Sequence, residues 1–199
     1  GLSFRMISRE GPKAAVGDLN GDGLEDVFIG APAGFAAGLY FQTASGSFTQ
    51  NKQAIFEADS VFEDTAVRFF DADGDKDLDL FVGSCGNNAE AGSKLLQDRL
   101  YFNDGKGNFA FNPYALSLNG YNTAVAVPLD FDNDGDLDLF VGSRSVPRNY
   151  GVPPKQFLYE NDGKGLFKDV VKTAGEDLKL LGMVTDATLA DVTSDPGLE

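Results

Sequence analysis

Aspartate and asparagine side chains recur three times in this chain at positions one, three, five and nine of a short segment. The segments, named loops 1, 2 and 3, contain Asp18, Asn20, Asp22 and Asp26; Asp71, Asp73, Asp75 and Asp79; and Asp130, Asp132, Asp134 and Asp138. A folded protein tolerates so many carboxylates in so few residues only if water or a hard cation neutralises them. Calcium fits best, because it accepts about six to eight oxygen ligands in a flexible geometry.

Composition and spacing narrow the kind of metal site. Zinc and most transition metals prefer nitrogen or sulfur ligands, and the chain has no His and a single Cys. Magnesium demands a tighter octahedron and usually keeps waters. In calcium loops of this kind position seven adds a backbone carbonyl, and the residues at that position are Leu24, Asp77 and Asp136. The sequence therefore predicts about three calcium sites.

The residues around each loop predict strands rather than helices. A helix–loop–helix calcium site needs a Glu at position twelve, where this chain has Ile29, Val82 or Val141. Each loop instead leads into a short apolar run, and another apolar run precedes it, so each loop is predicted to join two buried strands. The runs that follow the loops are residues 27–30, 80–83 and 139–142.

A second signature follows each loop and completes a repeat. A Leu-Tyr pair, a turn rich in Gly, Asn and Asp, and a Phe align without a gap in residues 39–48, 100–109 and 158–167. This pattern is typical of a β-hairpin. Each repeat is thus predicted to be a four-stranded antiparallel unit, and a recurrence of about 53 to 61 residues indicates a β-propeller.

We therefore predict an all-β protein built as a single partial β-propeller domain over residues 1–199. Its blades are predicted at about 14–56, 66–115 and 123–172, with the start of a fourth at 183–199. The fourth motif has weaker ligands, at Asp191, Thr193, Asp195 and Glu199. The chain begins with Gly and ends inside this motif, so we expect a piece of a larger propeller. Its open blade faces are expected to allow self-association.

These motifs resemble the FG-GAP or VCBS repeats of integrin alpha-chain propellers and of many bacterial surface proteins. Residues 28–32, Phe-Ile-Gly-Ala-Pro, are similar to the motif that names the family, and residues 81–83 and 140–142 match its first half. The order of motifs is also similar to that in cartilage acidic protein and its bacterial relatives. The resemblance implies calcium between the first and second strands of each blade, on the face opposite the usual ligand face.

Loop 2 departs from the repeat at its tight turn. Position six is Lys76, where the other loops have Gly23 and Gly135, and Gly74 stands at position four. A non-Gly residue is costly where the backbone needs a positive φ. We therefore expect loop 2 to be reshaped or to bind calcium more weakly.

Charge and hydropathy exclude several classes of partner. A formal net charge of -15 repels nucleic acid and anionic membranes, and no apolar stretch is long enough to span a bilayer. Extracellular calcium modules typically bind at ~10⁻⁴ to 10⁻³ M. We accordingly expect an extracellular protein, secreted or at the cell surface, and the single Cys leaves the redox compartment open.

The leading functional hypothesis is a calcium-stabilised scaffold for adhesion or for binding a protein or glycan. The connections at residues 84–99 and 143–157 should emerge on the face away from calcium, and loops on a rigid scaffold often carry binding. The candidate contact residues are Arg144, Arg148, Tyr150 and Lys155. The alternatives are an inert spacer of a large surface protein and a polysaccharide lyase or hydrolase. We expect no enzyme, because the clustered carboxylates already have a role in the loops.

Overall fold

The computed structural model describes residues 11–149 and 151–190. Within them, strands form three four-stranded antiparallel sheets in which neighbours follow chain order. Blade 1 contains β1 (Ala14–Gly17), β2 (Asp26–Ile29), β3 (Gly38–Gln42) and β4 (Phe48–Asn51). Blade 2 contains β5 (Glu63–Phe70), β6 (Asp79–Cys85), β7 (Arg99–Asn103) and β8 (Phe109–Phe111). Blade 3 contains β9 (Asn122–Leu129), β10 (Asp138–Ser145), β11 (Phe157–Asn161) and β12 (Phe167–Asp169). The all-β fold of repeated four-stranded blades is confirmed.

Short helices follow the first and third blades, and the sequence pattern did not predict them. Helix α1 (Ala54–Ala58) connects blade 1 to blade 2, and α2 (Val171–Ala174) follows blade 3. The described residues also contain 3₁₀ turns at Asp59–Val61, Lys94–Leu96 and Leu178–Leu180. Each element spans one turn or little more, so it is too short to give a helical hydrophobic period. The two α-helices nevertheless close the core, since Phe56 and Val171 are buried.

Two apolar layers hold the three blades together. The first layer lies between blades 1 and 2 and packs Phe28 and Leu39 with Leu80, Val82 and Tyr101, among others. The second lies between blades 2 and 3 and contains these residues, among others: Phe81, Leu100, Leu139, Val141 and Tyr159. Successive residues of β6 face opposite layers, which explains why its apolar run is continuous rather than alternating.

The first blade presents its other face to solvent in the described part of the chain. Ile29 is 42% exposed, whereas the equivalent Val82 is 1% exposed because blade 1 covers it. Phe48 is 49% exposed, whereas the equivalent Phe109 is 8% exposed. The open apolar face of blade 1 therefore has the chemistry of a blade interface.

A glycine ends the apolar run of each blade for a steric reason. A Cβ at Gly83 would lie 2.5 Å from Thr123 Cγ2, and one at Gly30 would lie 2.7 Å from Asp64 Cβ. Both neighbours belong to the first strand of the following blade. Glycine therefore lets that strand approach closely, which accounts for the Gly of the repeated Phe-Ile/Val-Gly motif.

Candidate metal sites and the opposite face

All three loops lie at the same edge of the blades, each between the first and second strands. In loop 2, ligand oxygens of Asp71, Asp73 and Asp79 lie within 4.8 Å of one another. The equivalent oxygens of loop 3 do the same, in Asp130, Asp132 and Asp138. In loops 2 and 3 the fold thus brings three carboxylates together around a volume that one cation can share.

Position one of each loop organises the turn through its side chain. Asp18 Oδ1 accepts the N–H of Gly21 at 2.8 Å, and its Oδ2 accepts the N–H of Gly23 at 2.8 Å. Asp71 accepts the corresponding bonds from Gly74 and Lys76, at 2.8 and 3.0 Å. These bonds hold the loop backbone in its turn conformation, so hydrogen bonds within the loop fix its shape.

Position nine is the most buried member of each loop. Asp26, Asp79 and Asp138 are at most 1% exposed. In loop 2 the Oδ2 atom of Asp79 accepts the N–H of Ala72, and its Oδ1 atom accepts the N–H of Asn103 at 2.9 Å. A carboxylate has about four acceptor positions, so two hydrogen bonds leave room for a cation.

The turn of loop 2 keeps the backbone shape of its neighbours despite Lys76. Position six has φ 81° at Gly23, 77° at Lys76 and 99° at Gly135. The reshaping expected for loop 2 was therefore wrong, because Lys76 adopts the left-handed conformation itself, and weaker calcium binding by loop 2 stays a prediction. Position four is also left-handed, and loop 3 places Asn133 there at φ 62°. Both non-Gly residues carry local backbone strain.

Three carboxylate oxygens in loops 2 and 3 lack a hydrogen-bond partner, one at position three and two at position seven. Asp73 Oδ1, Asp77 Oδ1 and Asp136 Oδ1 are shielded from solvent and have no hydrogen-bond partner. Buried polar atoms normally have a partner, and a cation held with Asp71 and Asp79 would supply one for Asp73. An all-oxygen donor set of this kind suits calcium and does not suit zinc.

The raised pKa values of three carboxyl groups in loops 2 and 3 indicate that their negative charge is not compensated. Burial raises the pKa of Asp79 to about 7, although two backbone N–H groups donate to it. Burial together with the neighbouring Asp75 raises the pKa of Asp77 to about 6, and burial together with Asp134 does the same for Asp136. Without a cation, these groups resist full ionisation near neutral pH.

Loop 1 is the least acidic of the three. Its third position is the amide of Asn20, whose Oδ1 accepts the N–H of Asp22 at 3.0 Å. Its seventh position is Leu24, where the other loops have Asp77 and Asp136. Because ligand charge tunes calcium affinity, loop 1 would attract a cation less strongly than loops 2 and 3. The fourth motif, at 191–199, lies outside the described residues.

The described candidate contact residues, Arg144, Arg148 and Lys155, lie at the opposite edge, and the structure places them differently from one another. Arg148 donates to the Asn88 carbonyl at 2.6 Å and to Glu90 Oε1 at 3.3 Å, which bridges the long connections of blades 2 and 3. Lys155 pairs with Asp169 and lies 4.2 Å from the centre of the Phe157 ring. Arg144 lies within β10, and Tyr150 falls outside the described residues.

A cleft of about 240 Å³ lies beside Arg148 between these two connections. Its lining combines aliphatic side chains with amide, hydroxyl and guanidinium groups. The lining residues are Asn87, Ser145, Val146, Arg148, Asn149, Gly151, Val152 and Met183. The sequence predicted Arg148 in this region, but it could not show which segments of the chain build the other wall.

A buried polar network lies between blades 1 and 2 at the edge opposite the loops, and the sequence did not predict it. Arg99 forms an ion pair with Asp64 and donates to Tyr101 Oη at 3.1 Å. Tyr101 Oη in turn donates to Asp59 Oδ2 at 2.5 Å, and Asp64 Oδ2 accepts the N–H of Ala31 at 2.8 Å. Its members bond across the blade junction, so the network is structural.

Comparison with known proteins identifies the repeat. The sequence profile of the FG-GAP-like repeat matches residues 18–82 and 84–141. The chain belongs to the FG-GAP-like repeat family, as its motifs predicted. No curated protein sequence matches the chain. No helix in the described residues has the length and apolar character needed to cross a membrane.

A solved structure shares the fold. It is a lectin from Agrocybe aegerita, described as specifically recognising non-reducing terminal N-acetylglucosamine. The TM-score is 0.53 at 20% sequence identity. The match covers 89% of this chain and 42% of that one, so the chain spans less than half the length of its structural relative.

Proposed function

We propose that this chain is a calcium-stabilised, extracellular binding scaffold, with one calcium site in each of loops 1, 2 and 3. The observation that carries the proposal is the convergence, within 4.8 Å of one another, of carboxylate oxygens from positions one, three and nine in loops 2 and 3. Positions one, three, five and nine would supply side-chain oxygens, and position seven its backbone carbonyl, as in other calcium loops. Bound calcium would neutralise the negative charge of these oxygens. The loops thereby stiffen one edge of each blade.

We further propose that the ligand surface is the Arg148 cleft at the opposite edge. Carbohydrates present both apolar C–H faces and hydroxyl groups, and the cleft offers matching chemistry. Val152 and Met183 provide apolar walls, while Asn87, Ser145 and Arg148 provide hydrogen-bonding groups. The lectin described above recognises a sugar, which supports carbohydrate as the first ligand class to test. A protein ligand is the second outcome of that test.

Ligand arrays test this assignment. We expect the wild-type chain to bind a subset of immobilised glycans in the presence of calcium, and Arg148→Ala or Asn149→Ala to reduce that binding at least about tenfold. Lys164→Ala is the matched control, because Lys164 is exposed in the hairpin at the calcium edge. Equal binding by all three variants would remove the cleft as the site. Binding only to immobilised proteins would replace the carbohydrate with a protein ligand.

A further inference from the structure

Two buried asparagines connect the loops of neighbouring blades. Asn103 ends β7, and its side-chain Nδ2 donates to the carbonyl of Leu19 at 2.9 Å, across the interface in loop 1. Its own backbone N–H donates to Asp79 Oδ1 at 2.9 Å, in loop 2. A single residue thus contacts position two of one loop and position nine of the next.

The next interface repeats the arrangement atom for atom. Asn161 ends β11, and its Nδ2 donates to the carbonyl of Ala72 at 2.9 Å, in loop 2. Its backbone N–H donates to Asp138 Oδ1 at 2.8 Å, in loop 3. Two independent occurrences of the same pair of bonds argue for a property of the repeat.

The backbone of position two completes the connection within each loop. The N–H of Leu19 donates to Asp26 Oδ2 at 3.1 Å, and the N–H of Ala72 donates to Asp79 Oδ2 at 2.8 Å. One hydrogen-bonded path therefore crosses all three blades. In order, it passes through Asp26, Leu19, Asn103, Asp79, Ala72, Asn161 and Asp138.

The linking side chains have fixed orientations. Asn103 is 7% exposed, its Oδ1 atom accepts the N–H of Gly107 at 2.9 Å, and its Nδ2 also donates to the Leu78 carbonyl at 3.2 Å. Asn161 bonds in the same way to Gly165 and Leu137. Since both ends of each amide are held, a shift of the position-two carbonyl is transmitted to the next blade.

We propose that Asn103 and Asn161 are positioning residues that couple calcium binding in successive blades. The proposal rests on the proposed function of the loops as calcium sites. Leu19 lies between the ligand positions Asp18 and Asn20, which fix its peptide when they hold an ion. Its carbonyl then orients Asn103, which orients the Asp79 ligand. Occupation of one loop therefore raises the affinity of the next, and the effect is reciprocal.

Calorimetric titration with calcium tests the coupling in the full chain. The experiment uses a chain carrying Asp130→Ala, which removes the position-one ligand of loop 3. Of the three loops, loops 1 and 2 then keep their position-one ligands. Adding Asp18→Ala isolates loop 2, and we expect its calcium affinity to fall on the order of fivefold. On an Asn103→Ala background, Asp18→Ala should leave the affinity of loop 2 unchanged. Asn108→Ala is the matched control, because Asn108 is an exposed residue of the same hairpin that bonds to Asp104.

The possible outcomes separate the coupling from the calcium assignment. Equal affinity of loop 2 with and without Asp18, or an equal loss with and without Asn103, would overturn the coupling while leaving calcium binding intact. An absence of calcium binding in the wild-type chain would overturn the proposed function itself. If Asn103→Ala fails to fold, the second interface is tested in a chain that keeps Asp130 and carries Asp18→Ala. There Asp71→Ala should lower the calcium affinity of loop 3, and on an Asn161→Ala background it should leave that affinity unchanged. The Asp18→Ala comparison alone can still overturn the coupling, because it leaves both asparagines in place.

Discussion

Arg99 and Asp64 form an ion pair that is almost completely buried where the first two blades meet. The Arg99 guanidinium also lies 4.2 Å from the centre of the Phe62 ring. Removing one partner of a buried pair typically costs about 3–5 kcal/mol, because the other charge is left uncompensated. The pair therefore makes the blade 1–blade 2 junction sensitive to single substitutions.

We predict that Arg99→Met lowers the free energy of unfolding by about 3–5 kcal/mol. The control is Arg148→Met, since Arg148 and Glu90 form an exposed pair, and such pairs contribute about 1 kcal/mol or less. Urea unfolding of both variants measures the difference. Equal losses for the two variants would show that the buried pair has no special role in stability.

We predict that Lys76→Gly stabilises the chain by about 0.5–1 kcal/mol. The left-handed backbone at Lys76 costs about 1–2 kcal/mol for a non-Gly residue, and the added freedom of Gly in the unfolded chain offsets part of the gain. Asn133→Gly should give a smaller gain, because Asn tolerates this conformation better. Thermal unfolding measures both changes, and a loss of stability in Lys76→Gly would contradict the strain argument.

We predict that calcium affinity falls between about pH 7 and pH 5. The pKa values of Asp77 and Asp136 are raised to about 6 and that of Asp79 to about 7, so protons compete with the ion in this window. Calcium titrations at several pH values measure the effect. Constant affinity across the window would contradict the raised pKa values.

The calcium-free chain should show the opposite dependence on pH. The folded state holds protons on these carboxyl groups above their ordinary pKa of 3.8, whereas the unfolded state releases them. Stability without calcium is therefore predicted to decline as the pH rises from about 4 to 7. Urea unfolding in EDTA measures this trend, and stability that increases over the same range would argue against uncompensated carboxylates.

We predict that copies of this chain associate through the open face of blade 1. Ile29 and Phe48 are exposed there, although the equivalent residues of blade 2 are buried in a blade interface. Ile29→Lys should reduce concentration-dependent association in light scattering, because a charge on this face opposes burial. Val61→Lys is the control, since Val61 is also exposed but lies in the connection between blades. A monomeric wild-type chain at high concentration would contradict the prediction.

The sequence was most informative where function and fold depend on local spacing. The one-three-five-nine pattern and the Leu-Tyr hairpin signature each lie within about ten residues, and they predicted the blade and its loops. Lys76 was correctly identified as unusual, but its effect on the loop depended on whether a Lys backbone could adopt a positive φ. That question is settled by the surrounding hydrogen bonds and not by residue type.

Contacts between distant residues could not be predicted from the same patterns. Asn103 lies 84 positions from Leu19 and stands in a segment whose Asn and Gly are typical of any hairpin turn. Arg99 precedes a Leu-Tyr pair and is not part of a periodic pattern. Its ion pair with Asp64 therefore could not be predicted from the sequence either. The rest of the Arg148 cleft was unpredictable for the same reason, because Asn87 of blade 2 and Met183 of the segment after blade 3 contribute to it.

Thermal unfolding of the chain as a function of calcium concentration tests the central claim most directly. At a concentration about 100 times a dissociation constant of ~10⁻⁴ M, each calcium site should stabilise the chain by about 2.7 kcal/mol. We predict that the midpoint rises with calcium, falls again in EDTA, and rises less in the variant carrying Asp18→Ala, Asp71→Ala and Asp130→Ala. Magnesium at the same concentration should have a smaller effect. A midpoint that is unchanged by calcium and EDTA would contradict the claim that these loops are calcium sites that stabilise the blades.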